Sequence, residues 1–289
     1  FRAICDMLDL ESSQERAHID AFQTVARQVE STLFDRPLFS YPMRGPFTET
    51  MIFTDANQLQ RRWKQLQLQA FGLLSADNTF LACQYFTVRG LRTLNGKLVQ
   101  HQLSQFCSDN VESAPVPSQI SHYHFLDESF HFNSSTLISQ EVISELPTPT
   151  AFEKTVANLG IRGCQKDHIT FSVVINGIFW QDSALYETVY RLLRSPLFEM
   201  EDSAAKHMMR LCFTQPSEGL YQSYQTHQEA MRAYRAYIDP LDYVWRSNHQ
   251  MATMATASVE GYLRSQQKSL PRFFRRQSLS PYQSAQLST

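Results

Sequence analysis

The stretch His122-Tyr123-His124-Phe125-Leu126-Asp127-Glu128-Ser129-Phe130-His131 sets two imidazoles and a carboxylate on one face of a helix. At about 100° per residue, His124, Glu128 and His131 fall within roughly a 60° arc. The same stripe continues through Ile120, Asp127, Ser135 and Ile138, so its centre is polar and its ends are apolar. A packed helix normally carries Leu or Val at such central positions, because burying ionisable groups without partners is costly. A divalent metal compensates that cost, and His and carboxylate side chains are its usual ligands. Two plainer readings compete. Tyr123, Phe125 and Phe132 lie on the opposite face, so the polar stripe faces water in one of them. In the other, His124 and Glu128 are a simple i,i+4 pair.

Working outward, the spacing predicts helices almost everywhere. Ala17, Phe22, Val25, Ala26, Val29 and Leu33 recur at three- and four-residue intervals, predicting a helix over 12–34 with Ser12 or Ser13 as cap. Pro37, Pro42 and Pro46 mark a loop, and a Gln-rich helix follows over 55–74. Asp77 is the expected cap of a long helix from Thr79 to Cys107, which contains Gly90 and Gly96. Ser118 is the expected cap of the helix bearing the polar stripe, which Pro147 and Pro149 stop after Glu145. Further helices are expected near 168–194, 196–213, 216–237 and 240–268, with a strand as the alternative over 168–180. Residues 1–270 form one helical domain in this reading. Residues 271–289, with Arg272, Arg275 and Arg276 beside Phe273 and Phe274, form a basic and polar tail that is disordered or docks elsewhere.

Composition narrows the classes. The chain has 289 residues, 43% of them hydrophobic, so a substantial core is available. Its 26 Lys and Arg nearly balance 28 Asp and Glu, which favours neither disorder nor a nucleic-acid surface. Only 9 glycines argue against Gly-rich phosphate loops. No apolar run reaches membrane-spanning length. The five cysteines form no C-x-x-C pair and predict free, mostly buried thiols in a reducing compartment, the cytoplasm. The chain opens on Phe1 inside an apparent helix, and an upstream segment is expected to precede it.

A second pattern is Glu15-Arg16-Ala17-His18. Glu-x-x-His puts carboxylate and imidazole about 60° apart on a helix, the spacing that bundle di-iron sites use twice. Together, Glu15-x-x-His18 and His124-x-x-Asp127-Glu128-x-x-His131 resemble the ferritin-like di-iron carboxylate enzymes of natural-product pathways. The closest pattern is that of the dimetal-carboxylate halogenases and arylamine N-oxygenases, and it covers about residues 10–140. The resemblance implies an all-α, ferritin-like helical bundle with additional C-terminal helices. It implies two iron ions held by Glu15, His18, His124, Glu128 and His131, with O2 and chloride as co-substrates. Asp127 is read as orienting a ligand imidazole on a neighbouring helix, or as solvated.

The chain departs from the family pattern in two places. An upstream Glu would precede residue 1, and the helix over 79–107, which should supply a further Glu, has no acidic residue. Gln84, Asn95 and Gln100 are its nearest polar substitutes, with Glu49 or Glu112 as alternatives from loops. A missing carboxylate leaves a ligand position that chloride can fill, which tilts the implied activity toward halogenation. The implied reaction is O2-dependent halogenation or hydroxylation of an unactivated aliphatic carbon, on a small molecule or on an acyl carrier protein, with an external electron donor. An N-oxygenase acting on an amine and a non-catalytic helical interaction protein with a degenerate site are the alternatives. Arg89 and Arg92 are read as surface residues first, and as anchors of a buried carboxylate network second.

Overall fold

The computed structural model describes residues 2–33, 58–110, 112, 116–176, 183–256 and 258–278. Among these every regular element is a helix, as the sequence predicts: α1 (Arg2–Leu33), α2 (Gln58–Ala76), α3 (Thr79–Asp109), α4 (Val116–Glu141), α5 (Ala151–Asn176), α6 (Ser183–Arg194), α7 (Asp202–Thr214), α8 (Glu218–Ile238), the single turn α9 (Arg246–His249) and α10 (Val259–Ser278). Short 3-10 turns follow α4 at Val142–Glu145 and precede α10 at Met254–Thr256.

The centre is the long pair α3 and α4, with α1 laid along α4 and α5 and α8 closing the other side of α3. Leu91 and Leu94 of α3, Ala157 and Ile161 of α5, and Tyr234 and Ile238 of α8 form the main core. Tyr237 shows why α3 carries glycine at position 90. Its hydroxyl shares a 2.6 Å hydrogen bond with Ser139 of α4, and a Cβ on Gly90 would stand 2.7 Å from that oxygen. Gly90 thus permits a close helix approach inside a continuous helix, although glycine lowers helix propensity.

Several expected boundaries move, each for a local reason. Helix α1 starts at Arg2, so Ser12 and Ser13 lie inside it, and Ser12 Oγ accepts from Arg16 one turn on. Asn78, not Asp77, caps α3: its side-chain oxygen accepts from the Leu81 amide at 3.1 Å. Helix α5 begins at Ala151 because Thr150 and Glu153 form a reciprocal capping box, and it runs as helix through Asn176 where a strand was the alternative. Residues 177–182, within the helix expected over 168–194, lie outside the described residues, as do 34–57 with the loop prolines and 279–289.

The expected disordered tail is corrected for residues 271–278. These continue α10, with Pro271 inside the helix. An internal proline costs about 3 kcal/mol, but Leu270 and Phe274 on either side of it are buried against Tyr186, Met209 and Phe213 of α6 and α7. That second cluster gives the C-terminal helices a core of their own. All five cysteines are free, with Cys83, Cys107 and Cys164 buried.

Candidate metal centre

The two motifs, more than a hundred residues apart in sequence, face each other across the antiparallel contact of α1 with α4. As α1 ascends through Glu11, Gln14 and His18, α4 descends through Ser134, His131 and Asp127, and each pair is in hydrogen-bonding contact. The helical period that puts Glu11, Glu15 and His18 on one side of α1 therefore meets the stripe on α4 directly.

One donor atom each from Glu15, His18, His124 and Glu128 lies within 4.8 Å of the others. His124 Nε2 is 3.1 Å from Glu128 Oε1, and the His18 and His124 rings stand edge to face with centroids 4.5 Å apart. His131, only 1% exposed, approaches the same carboxylates from beside this group. Its Nδ1 is 3.3 Å from Glu15 Oε1 and 3.5 Å from Glu128 Oε1. All five residues singled out from the sequence thus come together, with Glu128 Oε1 shared between two imidazoles.

The outer contacts fix which ring nitrogen faces inward. His18 Nε2 is 2.8 Å from Asp127 Oδ2; a carboxylate only accepts, so Nε2 is the donor there and Nδ1 is the nitrogen turned toward the glutamates. That Nδ1 is buried and has no hydrogen-bond partner, although it faces Glu15 Oε2 at 3.8 Å. Likewise, His131 Nε2 donates to Gln14 Oε1 at 3.1 Å, which turns Nδ1 toward the two glutamates. Imidazole ligands of metals are ordinarily held in this way by a polar group on the far nitrogen. The orphaned His18 Nδ1 and the mixed carboxylate–imidazole donor set fit a transition metal such as iron.

Electrostatics without an ion are consistent with this. Burial alone would raise the Glu128 carboxyl, but hydrogen bonds and charge from His124 and His131 outweigh it and hold the group well below the usual carboxylate range. Burial likewise opposes charge on His131, yet the bonds from Glu128 and Glu15 and the nearby Glu11 push it up to about 9. His124 is raised for the same reason, Glu128 overcoming its burial. The site is a nest of mutually neutralising charges, and a cation would take the place of protons.

Gln84, the substitute expected on α3 whose side chain is described, does not join the site. Gln84 is buried but adjoins Tyr243 of the main core. Because α3 has already reached the level of Ser134 at Arg89, Gln84 lies beyond the site. Asn95 and Gln100 are on α3, but their side chains lie outside the described residues, as does Glu49; Glu112 is exposed on a turn. What α3 does present is Arg89, paired with Glu11, which is 3% exposed and also accepts from Ser134 at 3.0 Å. The carboxylate-anchoring reading of Arg89 therefore replaces the surface reading. Glu11 and Gln14 escaped the sequence analysis, although Glu11 stands one turn before Glu15 on the same face, which is the signal that would have found it.

The helix pair thus gathers two glutamates and three histidines, a donor set of the kind that carboxylate–histidine metal sites use. The family model described as acyl halogenase CylC-like matches residues 1–274, and the chain belongs to that family. The family implies an enzyme, a halogenase. No curated protein and no solved structure matches the chain. No helix among the described residues is long and apolar enough to cross a membrane.

Proposed function

We propose that this protein is a non-haem di-iron halogenase that uses O2 and chloride to functionalise an unactivated aliphatic carbon of an acyl chain, delivered on an acyl carrier protein. The observation that carries the reading is the pair Glu15 and Glu128 set among three imidazoles, with the buried His18 Nδ1 left for a ligand. Two iron ions, when bound, would supply the O2 chemistry and the C–H cleavage, with electrons from an external donor.

The chain's own residues have distinct tasks in this reading. His18, His124 and His131 would provide neutral nitrogen donors, and Glu15 and Glu128 would balance the charge between them. Asp127 and Gln14 hold the far nitrogens of the His18 and His131 rings, so that the inner nitrogens face the glutamates. Glu11, held by Arg89 and Ser134, ties α1 to α3 and α4 one turn from Glu15 and keeps the two ligand-bearing faces in register. Where the family pattern has a carboxylate from the third helix, the described α3 residues offer a cation instead. With no acid over 79–107, α3 would leave room for chloride beside the irons, which favours halogenation over hydroxylation in this reading.

Metal analysis and products together test this. The wild-type chain, loaded anaerobically with Fe(II), should retain more than about one equivalent of iron, and Glu128→Ala should lose it while keeping its helicity, as removal of a central ligand requires. With O2, reductant and an acyl substrate, a chlorinated product should form only when chloride is present. Oxygenation of an added arylamine in place of chlorination would identify an N-oxygenase, and iron binding unaffected by Glu128→Ala would reject the site.

A further inference from the structure

Helix α10 carries a charge pattern that the metal site does not use. Arg264, Lys268, Arg272, Arg275 and Arg276 are all exposed, and at about 100° per residue they span roughly 120° of the helix circumference. Tyr262, Gln266, Leu270 and Phe274 are buried on the other side. Between residues 264 and 276 there is no acid; Glu260 is the only one on the helix, and residues 279–289 that follow contain none.

These cations are also unneutralised, unlike their neighbours in the same C-terminal cluster. Arg191 pairs with Glu187, Arg194 with Glu201 and Lys206 with Asp202. None of the five on α10 forms an ion pair among the described residues. The whole chain has a formal charge of −2, so without these five the remainder is distinctly acidic. Holding five like charges on three turns of helix is unfavourable for the isolated chain, and a complementary anionic surface relieves it.

We propose that the solvent face of α10 is the docking surface for an acidic protein, the carrier that presents the acyl chain. This rests on the carrier-bound reading above and adds where the carrier sits. The stripe is about 18 Å long, the length of one acidic helix on a compact partner. Its chemistry disfavours the other polyanions. A membrane-surface helix keeps an apolar face to insert into lipid, but the apolar face of α10 is spent on the C-terminal core. A nucleic acid would extend past the stripe onto a net acidic body.

The test uses the full iron-loaded chain and holo acyl carrier protein, with binding measured at about 50 and 200 mM salt to bracket strong and weak screening. The variant Arg272→Glu/Arg275→Glu/Arg276→Glu should bind the carrier about tenfold more weakly or worse. The milder Arg264→Gln/Lys268→Gln, which adds no opposite charge, should weaken it several-fold, and Lys166→Glu, at an exposed position of α5, should leave it unchanged. Binding of the wild type should fall with salt. Halogenation of a free acyl thioester, which needs no docking, should be the same in all four proteins and reads the proposed function by itself. Equal carrier binding by all four overturns the surface and leaves the function standing. So does preferential binding to phosphatidylglycerol vesicles or to single-stranded DNA. No turnover of the thioester by the wild type would instead count against the function.

Discussion

Asp127 is the residue whose role the structure makes most specific. It touches only the far nitrogen of His18, yet that contact orients the ring with the unpartnered Nδ1 toward the glutamates. Asp127→Ala should therefore weaken metal binding by about 10–100-fold without changing the number of ions bound. Asp127→Asn should restore most of it, since its amide oxygen still accepts from Nε2. A chelator-competition titration separates these outcomes, and an unchanged affinity in Asp127→Ala would leave the contact without consequence. His131 gives a second prediction at this scale. Its pKa near 9 means that the metal-free protein holds a proton there at pH 7, which an incoming ion must displace. Metal uptake should release protons to an indicator dye, and affinity should climb as pH rises toward about 9 and level off above it.

At the scale of the element, the close packing of α3 on α8 and α4 makes its own claim. Gly90→Ala forces a Cβ to 2.7 Å from the Tyr237 oxygen, which is itself tied to Ser139. Overpacking of this kind costs about 1–3 kcal/mol, and denaturant melts of Gly90→Ala should show that loss. Removing the hydroxyl as well, in Gly90→Ala/Tyr237→Phe, should recover part of it. The same helices show what was legible in the sequence. The 3.6-residue periodicity and the proline stops found α2, α3, α4 and α8 within a few residues, but left out 151–167 and ran one helix over 240–268, where the turn α9 and the start of α10 are separate. The polar centre of the α4 stripe marked the face that meets α1. What periodicity cannot supply is the partner of each face. Arg89 read as a surface residue because its companion, Glu11, lay before the expected start of α1. The α5 start at Ala151 was missed because its cap, Thr150 with Glu153, is a local hydrogen-bond pattern and not an apolar one. Pro271 read as a stop because proline's cost is local, while the burial of Leu270 and Phe274 that offsets it is tertiary.

For the molecule as a whole, the buried histidines away from the candidate metal centre couple stability to acid. His168 of α5 and His227 of α8 stack with ring centroids 5.3 Å apart at the junction of the two helices, each about 1% exposed. Burial, and then the proximity of His227, pull the His168 pKa down to about 3. Burial lowers His227 as well, only partly opposed by its bond to the Met254 carbonyl at 3.0 Å. A histidine of unperturbed pKa about 6.5 binds its proton in the unfolded chain before the folded one can. Below pH 6.5 the unfolded state therefore takes up more protons than the native state, and stability falls as pH drops from 6.5 toward 3. For one such group the loss amounts to a few kcal/mol, about 1.4 for each unit of pH through which it operates. The stabilisation is complete above pH 6.5, so no corresponding change is expected between pH 7 and 8 from this pair. Replacing the ring by an apolar one of similar shape, His168→Phe, removes the titration while keeping the packing against Tyr234. Thermal melts between pH 6.5 and 4.5 should show the wild-type midpoint dropping more steeply than that of His168→Phe. Parallel curves would mean that the stacked pair is not what couples the α5–α8 junction to acid.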